Sequence, residues 1–159
     1  RCQMEQVDLK RYIESYLREN RGEAEKENVN IDFSCQDGVY YVLLDTSEFK
    51  RVFDNLFTNT IKYRTKRKSQ VSIRLRRTDN GIMAELTFSD DGPGVPSESL
   101  ERIFESFYRA DAARTHAGEG SGIGLYLSRL IAEKEKGYIQ VESVYGKGSC
   151  FSVFLRMEK

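Results

Sequence analysis

Gly118-Glu119-Gly120-Ser121-Gly122-Ile123-Gly124-Leu125 puts glycine at every second position and then runs directly into an apolar helical pattern. Glycines so spaced leave a row of peptide N–H groups unshielded by side chains, and the helix start behind them adds a favourable potential for an anion. A plain hinge would not need glycine at alternate positions leading into an apolar helix. The stretch is neither the dinucleotide fingerprint nor a P-loop, because no Gly-Lys-Ser/Thr follows and the segment before it does not read as a strand. It predicts a flexible lid over phosphates in an α/β domain.

Outward from that stretch the elements alternate. Residues 8–26 show helical spacing at Leu9, Tyr12, Ile13, Tyr16 and Leu17, followed by strands at Ile31–Cys35 and Val39–Leu44 around the turn Asp37-Gly38. Asp45 and Glu48 form an N-terminal capping pair for a helix carrying Phe49, Val52, Phe53, Leu56, Phe57 and Thr60. Val71, Ile73 and Leu75 alternate, as do Ile82, Ala84, Leu86 and Phe88, with Asp79-Asn80-Gly81 between them as a hairpin turn. From Ser89 onward the chain is rich in glycine and holds both prolines, with a short helical segment near Leu100–Phe107. A last helix, about Gly122–Lys136, carries Ile123, Leu127, Leu130 and Ile131 and stops at Gly137. Tyr138–Val144 and Ser149–Leu155 close the chain as strands around Gly146-Lys147-Gly148. With no repeat and no linker, residues 1–159 read as one domain, helices on a largely antiparallel sheet.

Composition narrows the function. At 159 residues the chain can bury a real core. Lys+Arg and Asp+Glu cancel at 25 each, which argues against a general nucleic-acid binder. Cys2, Cys35 and Cys150 lack the paired spacing of a zinc site and read as reduced thiols. The longest apolar run, about Val39–Leu44, is far short of the roughly 20 residues of a membrane helix. The start at Arg1 without a Met is what a piece of a longer protein would show.

Two further constellations carry chemistry. Asn55, Asn59 and Lys62, spaced by four and three, form one polar stripe opposite the apolar one, with Tyr63 beside it. Amide oxygens are hard ligands for Mg²⁺ and an ammonium meets a phosphate oxygen as a point charge. By itself the stripe fits a solvated helix face better. Asp90-Asp91-Gly92-Pro93-Gly94-Val95-Pro96 follows a strand, so Asp90 could present its carboxylate to an exocyclic amine while the glycines allow close approach. By itself it fits a surface turn better. The basic run Arg64, Lys66, Arg67, Lys68 is most simply a solvated loop. The only histidine, His116, offers no triad chemistry, since no second histidine is present as base.

In order along the chain, these segments resemble the catalytic ATP-binding domain of bacterial sensor histidine kinases, in the superfamily shared by gyrase, Hsp90 and MutL. Asn55-Leu56-Phe57-Thr58-Asn59-Thr60-Ile61-Lys62-Tyr63 looks like the N box and Asp90-Asp91-Gly92-Pro93-Gly94 like the G1 box. Ile103-Phe104-Glu105-Ser106-Phe107-Tyr108-Arg109 looks like the F box, Gly118–Leu125 like the G2 box, and Gly146-Lys147-Gly148-Ser149 like the final glycine turn. The match covers roughly residues 40–156. Thr60 stands where Ala is usual, Asp91 where Asn is common, Ser149 where Thr is common, and Lys134-Glu135-Lys136-Gly137 replaces the usual His-Gly-Gly ending.

The resemblance implies a Bergerat-type two-layer α/β sandwich with a mixed, mostly antiparallel sheet, helices on one face and a flexible ATP lid. It implies ATP and Mg²⁺ as cofactors: Asn59 and Asn55 at the metal, Lys62 and Arg109 at phosphates, Tyr63 near the base, and Asp90 accepting from the adenine amino group. Gly92, Gly94, Gly120, Gly122 and Gly124 would allow close backbone approach. Val95, Phe107, Tyr108, Gly118, Ser121, Ile123, Leu125 and Ser149 complete the implied nucleotide-binding set, and Asn55, Asn59, Lys62 and Arg109 the catalytic one. The activity implied is phosphoryl transfer to a histidine on a separate dimerisation domain of the parent kinase, with a response regulator as onward partner. It also implies a cytoplasmic domain whose parent is anchored in the cell membrane, with no nucleic-acid partner and no membrane insertion by this segment. His116 is not on a helix followed by an acidic residue and is not assigned as phosphoacceptor. A competing expectation is an ATP-driven switch or ATPase of the gyrase, Hsp90 and MutL type. Those relatives carry a water-orienting Glu four residues before the N-box Asn, where this chain has Asn55.

Overall fold

Alternation makes the sheet. Every second side chain of Ser69–Arg77 (β4) and Met83–Asp90 (β5) is buried: Val71, Ile73 and Leu75 on one, Ala84, Leu86 and Phe88 on the other. Antiparallel pairing sets Ile73 opposite Phe88 and Leu75 opposite Leu86, so the apolar sets share one face. The same face is continued by Val29–Cys35 (β2), Tyr138–Val144 (β6) and Gly148–Arg156 (β7). The five strands lie in the order β2-β4-β5-β7-β6, with β2 parallel to β4 and all other pairs antiparallel. A separate antiparallel pair joins Glu5–Asp8 (β1) to Tyr41–Leu44 (β3). The coordinates are a computed structural model that describes residues 3–63, 66–105 and 123–158, with only the backbone at Lys62, Tyr63, Ile123 and Gly124.

Among the described residues, three helices of at least three turns cover the apolar face. Leu9–Lys26 (α1) starts where Asp8 accepts the Arg11 N–H at 3.3 Å and buries Leu9, Ile13, Tyr16, Leu17 and Ala24. Thr46–Tyr63 (α2) buries Phe49, Val52, Phe53, Leu56, Phe57 and Thr60, the set its periodicity predicts. Rings from the two helices interlock, with Phe53 centred 4.8 Å from Tyr16 and 5.7 Å from Phe49. A cap contributes about 1 kcal/mol, whereas fully burying a single large apolar side chain contributes about 1.5–3 kcal/mol. Burial therefore places these helices, and caps only trim their ends. A single turn, Ser97–Leu100 (α3), lies between β5 and the last helix, Ile123–Lys134 (α4).

Two expectations need correction at α4. Leu130, read as one of its apolar anchors, is 40% exposed, and the inward residues are Ser128 and Ala132, both fully buried, with Ile131. Small side chains there let α4 approach α2 closely. The helix ends at Lys134, two residues earlier than expected, and Lys136, at φ 61°, takes the left-handed position rather than Gly137. Lys136 N–H donates to Glu133 O at 3.1 Å and Gly137 N–H to Ala132 O at 2.9 Å, a Schellman pattern. Gly137 is needed for a different reason, since a Cβ there would stand 1.9 Å from Phe154 O.

The start of α2 is also built differently from the expected capping pair. Asp45 Oδ1 does accept the Ser47 N–H at 3.1 Å and the Glu48 N–H at 3.2 Å. Glu48, however, does not reach back to Asp45 and instead pairs with Lys134 at 3.0 Å. The Asp45 N–H goes to Glu135 Oε2 at 2.8 Å, ninety residues away. Asp45 is held well below the usual carboxylate range, at about 2, by the Gln3 N–H first and then by the Ser47 hydroxyl. Glu135 is 4% exposed, and its Oε1 has no partner among the described residues. Burial above all, with Glu48 and Asp45 adding to it, raises its pKa from 4.5 to about 7.

Lys136→Gly is expected to raise stability by about 0.5–1 kcal/mol in urea unfolding, because it relieves a left-handed residue with a Cβ. Gly137→Ala is expected to cost at least about 2 kcal/mol through the clash with Phe154 O. Equal behaviour of the two variants would contradict this assignment. For Glu135, the raised pKa means its contribution is complete below about pH 4.5 and is lost as pH rises through about 7. Melting scans should show wild type losing up to about 3 kcal/mol over that window and Glu135→Gln showing a flatter profile.

Candidate functional site

Four chain segments meet at one end of the sheet: the second half of α2, the loop after β5, the β6–β7 turn and, through Ser128, the middle of α4. Because α2 buries Val52, Phe53 and Leu56, the stripe at Asn55 and Asn59 is turned aside from the core, and both residues are half-buried. Asn55 Nδ2 lies 3.3 Å from Ser128 Oγ on α4, which the sequence had not singled out; only its place opposite the α2 stripe shows its role. Thr60, one position past Asn59, is 7% exposed, and its hydroxyl, with one proton to give, stands between Leu56 O at 3.2 Å and the Asp90 carboxylate.

The two adjacent aspartates do different work. Asp90 ends β5 and faces inward, accepting the Gly92 N–H on Oδ1 at 2.9 Å. Burial raises its pKa, and the N–H groups of Gly92 and Ser149 oppose that rise, as does the Thr60 hydroxyl, while Asp91 adds to it. Asp91 points the other way: its Oδ1 accepts the Gln70 N–H at 3.1 Å and its Oδ2 lies 3.7 Å from Lys66 Nζ. Asp91 thus braces the start of β4, and Asp90 is the inward-facing carboxylate of the two.

The loop after Asp90 is clamped against the β6–β7 turn. Gly94 has φ 71°, and a Cβ on it would stand 2.4 Å from Val144 O. Gly148 has φ 147°, and a Cβ on it would stand 2.1 Å from Asp90 O. Gly146 N–H donates to Pro93 O at 2.6 Å and Val95 N–H to Ser143 Oγ at 2.7 Å. Chain-to-chain packing therefore requires glycine at 94 and 148. Ile103 is buried, and Phe104 meets Phe151 edge-on at 6.4 Å, anchoring the first part of the segment that resembles the F box.

Phe107, Tyr108, Arg109, His116, Gly118, Gly120, Ser121 and Gly122, and with them the expected lid, lie outside the described residues, as do the side chains of Lys62, Tyr63 and Ile123. Ile123 and Gly124 open α4, and Leu125 is half-buried in its first turn. Among the described residues no group of three or more His, Cys, Asp or Glu side chains could hold a metal. A cation here would rely on the Asn amides, water and ligand oxygens, a donor set that suits Mg²⁺, which keeps several waters and favours phosphate oxygens.

A half-covered mixed sheet with a half-buried carboxylate at one strand end and an amide stripe beside it defines a nucleotide-site architecture. Residues 44–159 match the family described as histidine kinase-, DNA gyrase B- and HSP90-like ATPases, and the chain belongs to that family. It is 34% identical over 128 residues to the sensor histidine kinase RppB of a Synechocystis strain, covering 80% of this chain and 28% of RppB. It is 29% identical over 152 residues to the sensor protein kinase WalK of Staphylococcus haemolyticus, covering 96% of this chain and 24% of WalK. The chain thus spans about a quarter of these relatives. Among solved structures, the mycobacterial sensor histidine kinase MprB superposes with a TM-score of 0.81 at 26% identity, covering 97% of this chain and 99% of that one. The nucleotide-free catalytic domain of histidine kinase ThkA shares the fold with a TM-score of 0.80 at 23% identity, covering 98% of each. Among the described residues no helix is long and apolar enough to cross a membrane.

Thr60→Val, which keeps the branched shape and deletes the hydroxyl, is expected to raise the Asp90 pKa further, because a group favouring the ionised form is lost. A carbon-13 carboxyl titration reads this directly, and an unchanged midpoint would contradict it.

Proposed function

We propose that this domain binds Mg·ATP and transfers the γ-phosphoryl group to a histidine on a separate dimerisation domain of a longer sensor kinase, in two-component signalling. The observation that carries the base end is Asp90: a half-buried carboxylate at a strand end, held by the Gly92 N–H at 2.9 Å. Such a group suits an exocyclic amine and discriminates against a base that presents an acceptor there. Asn59 and Asn55 would hold the metal, and the glycine-rich segment 118–124 with Lys62 and Arg109 would meet the phosphates. Tyr63, Phe107 and Tyr108 would pack about the base. When bound, Mg²⁺ would neutralise charge building on the phosphate oxygens.

The protein's part is positioning: it holds the nucleotide by base and phosphates so that the bond from the γ-phosphorus to the ADP oxygen breaks as the bond to the incoming imidazole nitrogen forms. A response regulator is the onward acceptor in this proposal. ThkA has been solved in complex with the response regulator TrrA, and the present chain shares its fold. The parent would present this domain in the cytoplasm from a membrane anchor. An ATPase switch of the gyrase type is disfavoured by residue 55, whose amide nitrogen lies 3.3 Å from Ser128 Oγ. An amide cannot serve as the carboxylate that would orient hydrolytic water.

Calorimetric titration tests the assignment. The 159-residue chain should bind ATP and ADP and show no autophosphorylation until a histidine-bearing dimerisation domain is added. Asn59→Ala should weaken ATP binding with Mg²⁺ and spare metal-free ADP. Asp90→Ala should weaken ATP, ADP and adenosine alike by about 1–3 kcal/mol, with Asp90→Asn milder. No binding at millimolar nucleotide, or an Asn59→Ala loss that is equal with and without metal, would overturn these roles.

A further inference from the structure

Ser143, on β6, belongs to none of the boxes, yet its single hydroxyl oxygen meets three groups that surround Asp90. Val95 N–H donates to it at 2.7 Å, Ser149 Oγ lies 2.9 Å away, and Gly148 O lies 3.1 Å away. A hydroxyl has one proton and two lone pairs. With the proton on Gly148 O, one lone pair takes the Val95 N–H and the other the Ser149 O–H, so every capacity of the atom is used. Each partner leads to Asp90 by a short path. Val95 closes the loop whose Gly92 N–H holds Oδ1 at 2.9 Å. Ser149 stands opposite Asp90 in the β5–β7 register, and Gly148 packs on the Asp90 carbonyl.

We propose that Ser143 is the positioning residue of the base pocket: its hydroxyl ties the loop after Asp90 to the start of β7 and so fixes the direction in which the Asp90 carboxylate meets the adenine amine. This rests on Asp90 being the base acceptor. Ser143 itself does not touch the base, and it acts through the two N–H donors that hold the carboxylate. The groups facing Asp90 are Thr60 from α2, the Gly92 N–H from the loop, the Ser149 N–H from β7 and the neighbouring charge of Asp91. Loosening the loop and β7 removes the two backbone donors that favour the ionised form, so the clamp also sets the acid limit of binding.

The test titrates adenosine, ADP and Mg·ATP into wild type, S143A, S143T and S143V between pH 5 and 8. S143A and S143V should bind all three ligands more weakly by the same factor, about three- to tenfold, the worth of one neutral hydrogen bond. The acid limb of their binding curves should move to higher pH, and S143T, which keeps the hydroxyl, should restore both. If S143A does not fold, the S143T and S143V pair, both suited to a strand, makes the same comparison. Lower melting temperature with unchanged adenosine affinity and unchanged pH profile would make Ser143 merely structural and overturn the proposal. Loss confined to Mg·ATP would overturn it too. Wild type failing to bind adenosine or ADP would instead sink the assignment of Asp90, and the proposal with it.

Discussion

The packing of Val52, Phe53 and Leu56 on Leu86, Phe88 and Val153 is the constraint on which the site depends. These side chains turn α2 about its axis until one stripe is dry, and the stripe with Asn55 and Asn59 is then placed by helical geometry alone. The same contacts hold β5 and β7 under the helix, which sets where the Asp90 end of β5 emerges. The polar residues proposed to meet a nucleotide are thus aimed by the apolar residues buried beneath the helix.

Charge is arranged by burial as much as by pairing. The Asp45 backbone N–H donates to the Glu135 carboxylate, yet the two acidic side chains are driven in opposite directions. Asp45 is surrounded by donors, from Gln3, Ser47 and Glu48, and stays ionised. Glu135 has one backbone donor and a second oxygen without a partner among the described residues, so burial favours its protonated form. The pair joins the end of α4 to the start of α2, and therefore links the two helices whose other halves meet at Asn55 and Ser128.

Asp90 and Asp91 show why adjacent identical residues diverge. Asp90, the last residue of β5, points toward the helices, and Asp91, just past the strand, turns to the start of β4. The tight contacts of Gly94 and Gly148 with backbone carbonyls then prevent the loop from relaxing into another conformation. Glycine in this loop is as much a requirement of the fold as of any ligand.

The pattern of the chain by itself determined the strands of the five-stranded sheet, the long helices, the apolar stripe of α2 and the family, because period two and period 3.6 are local properties and the boxes occur in order, but it did not mark the short strand β1. It also marked Asp90, Asn55 and Asn59 by residue type and position. Only the tertiary structure decided the partners that come from far along the chain: Glu135 on the Asp45 N–H, Ser128 beside Asn55, and Ser143 between Val95 and Ser149. The same holds for the exposure of Leu130 and the left-handed Lys136, where small residues and the Phe154 carbonyl overrode the expected helix face and stop. Periodicity reports which way a side chain points from its own element. A hydrogen bond between elements depends on how those elements pack, and packing is settled by the summed burial of the whole core.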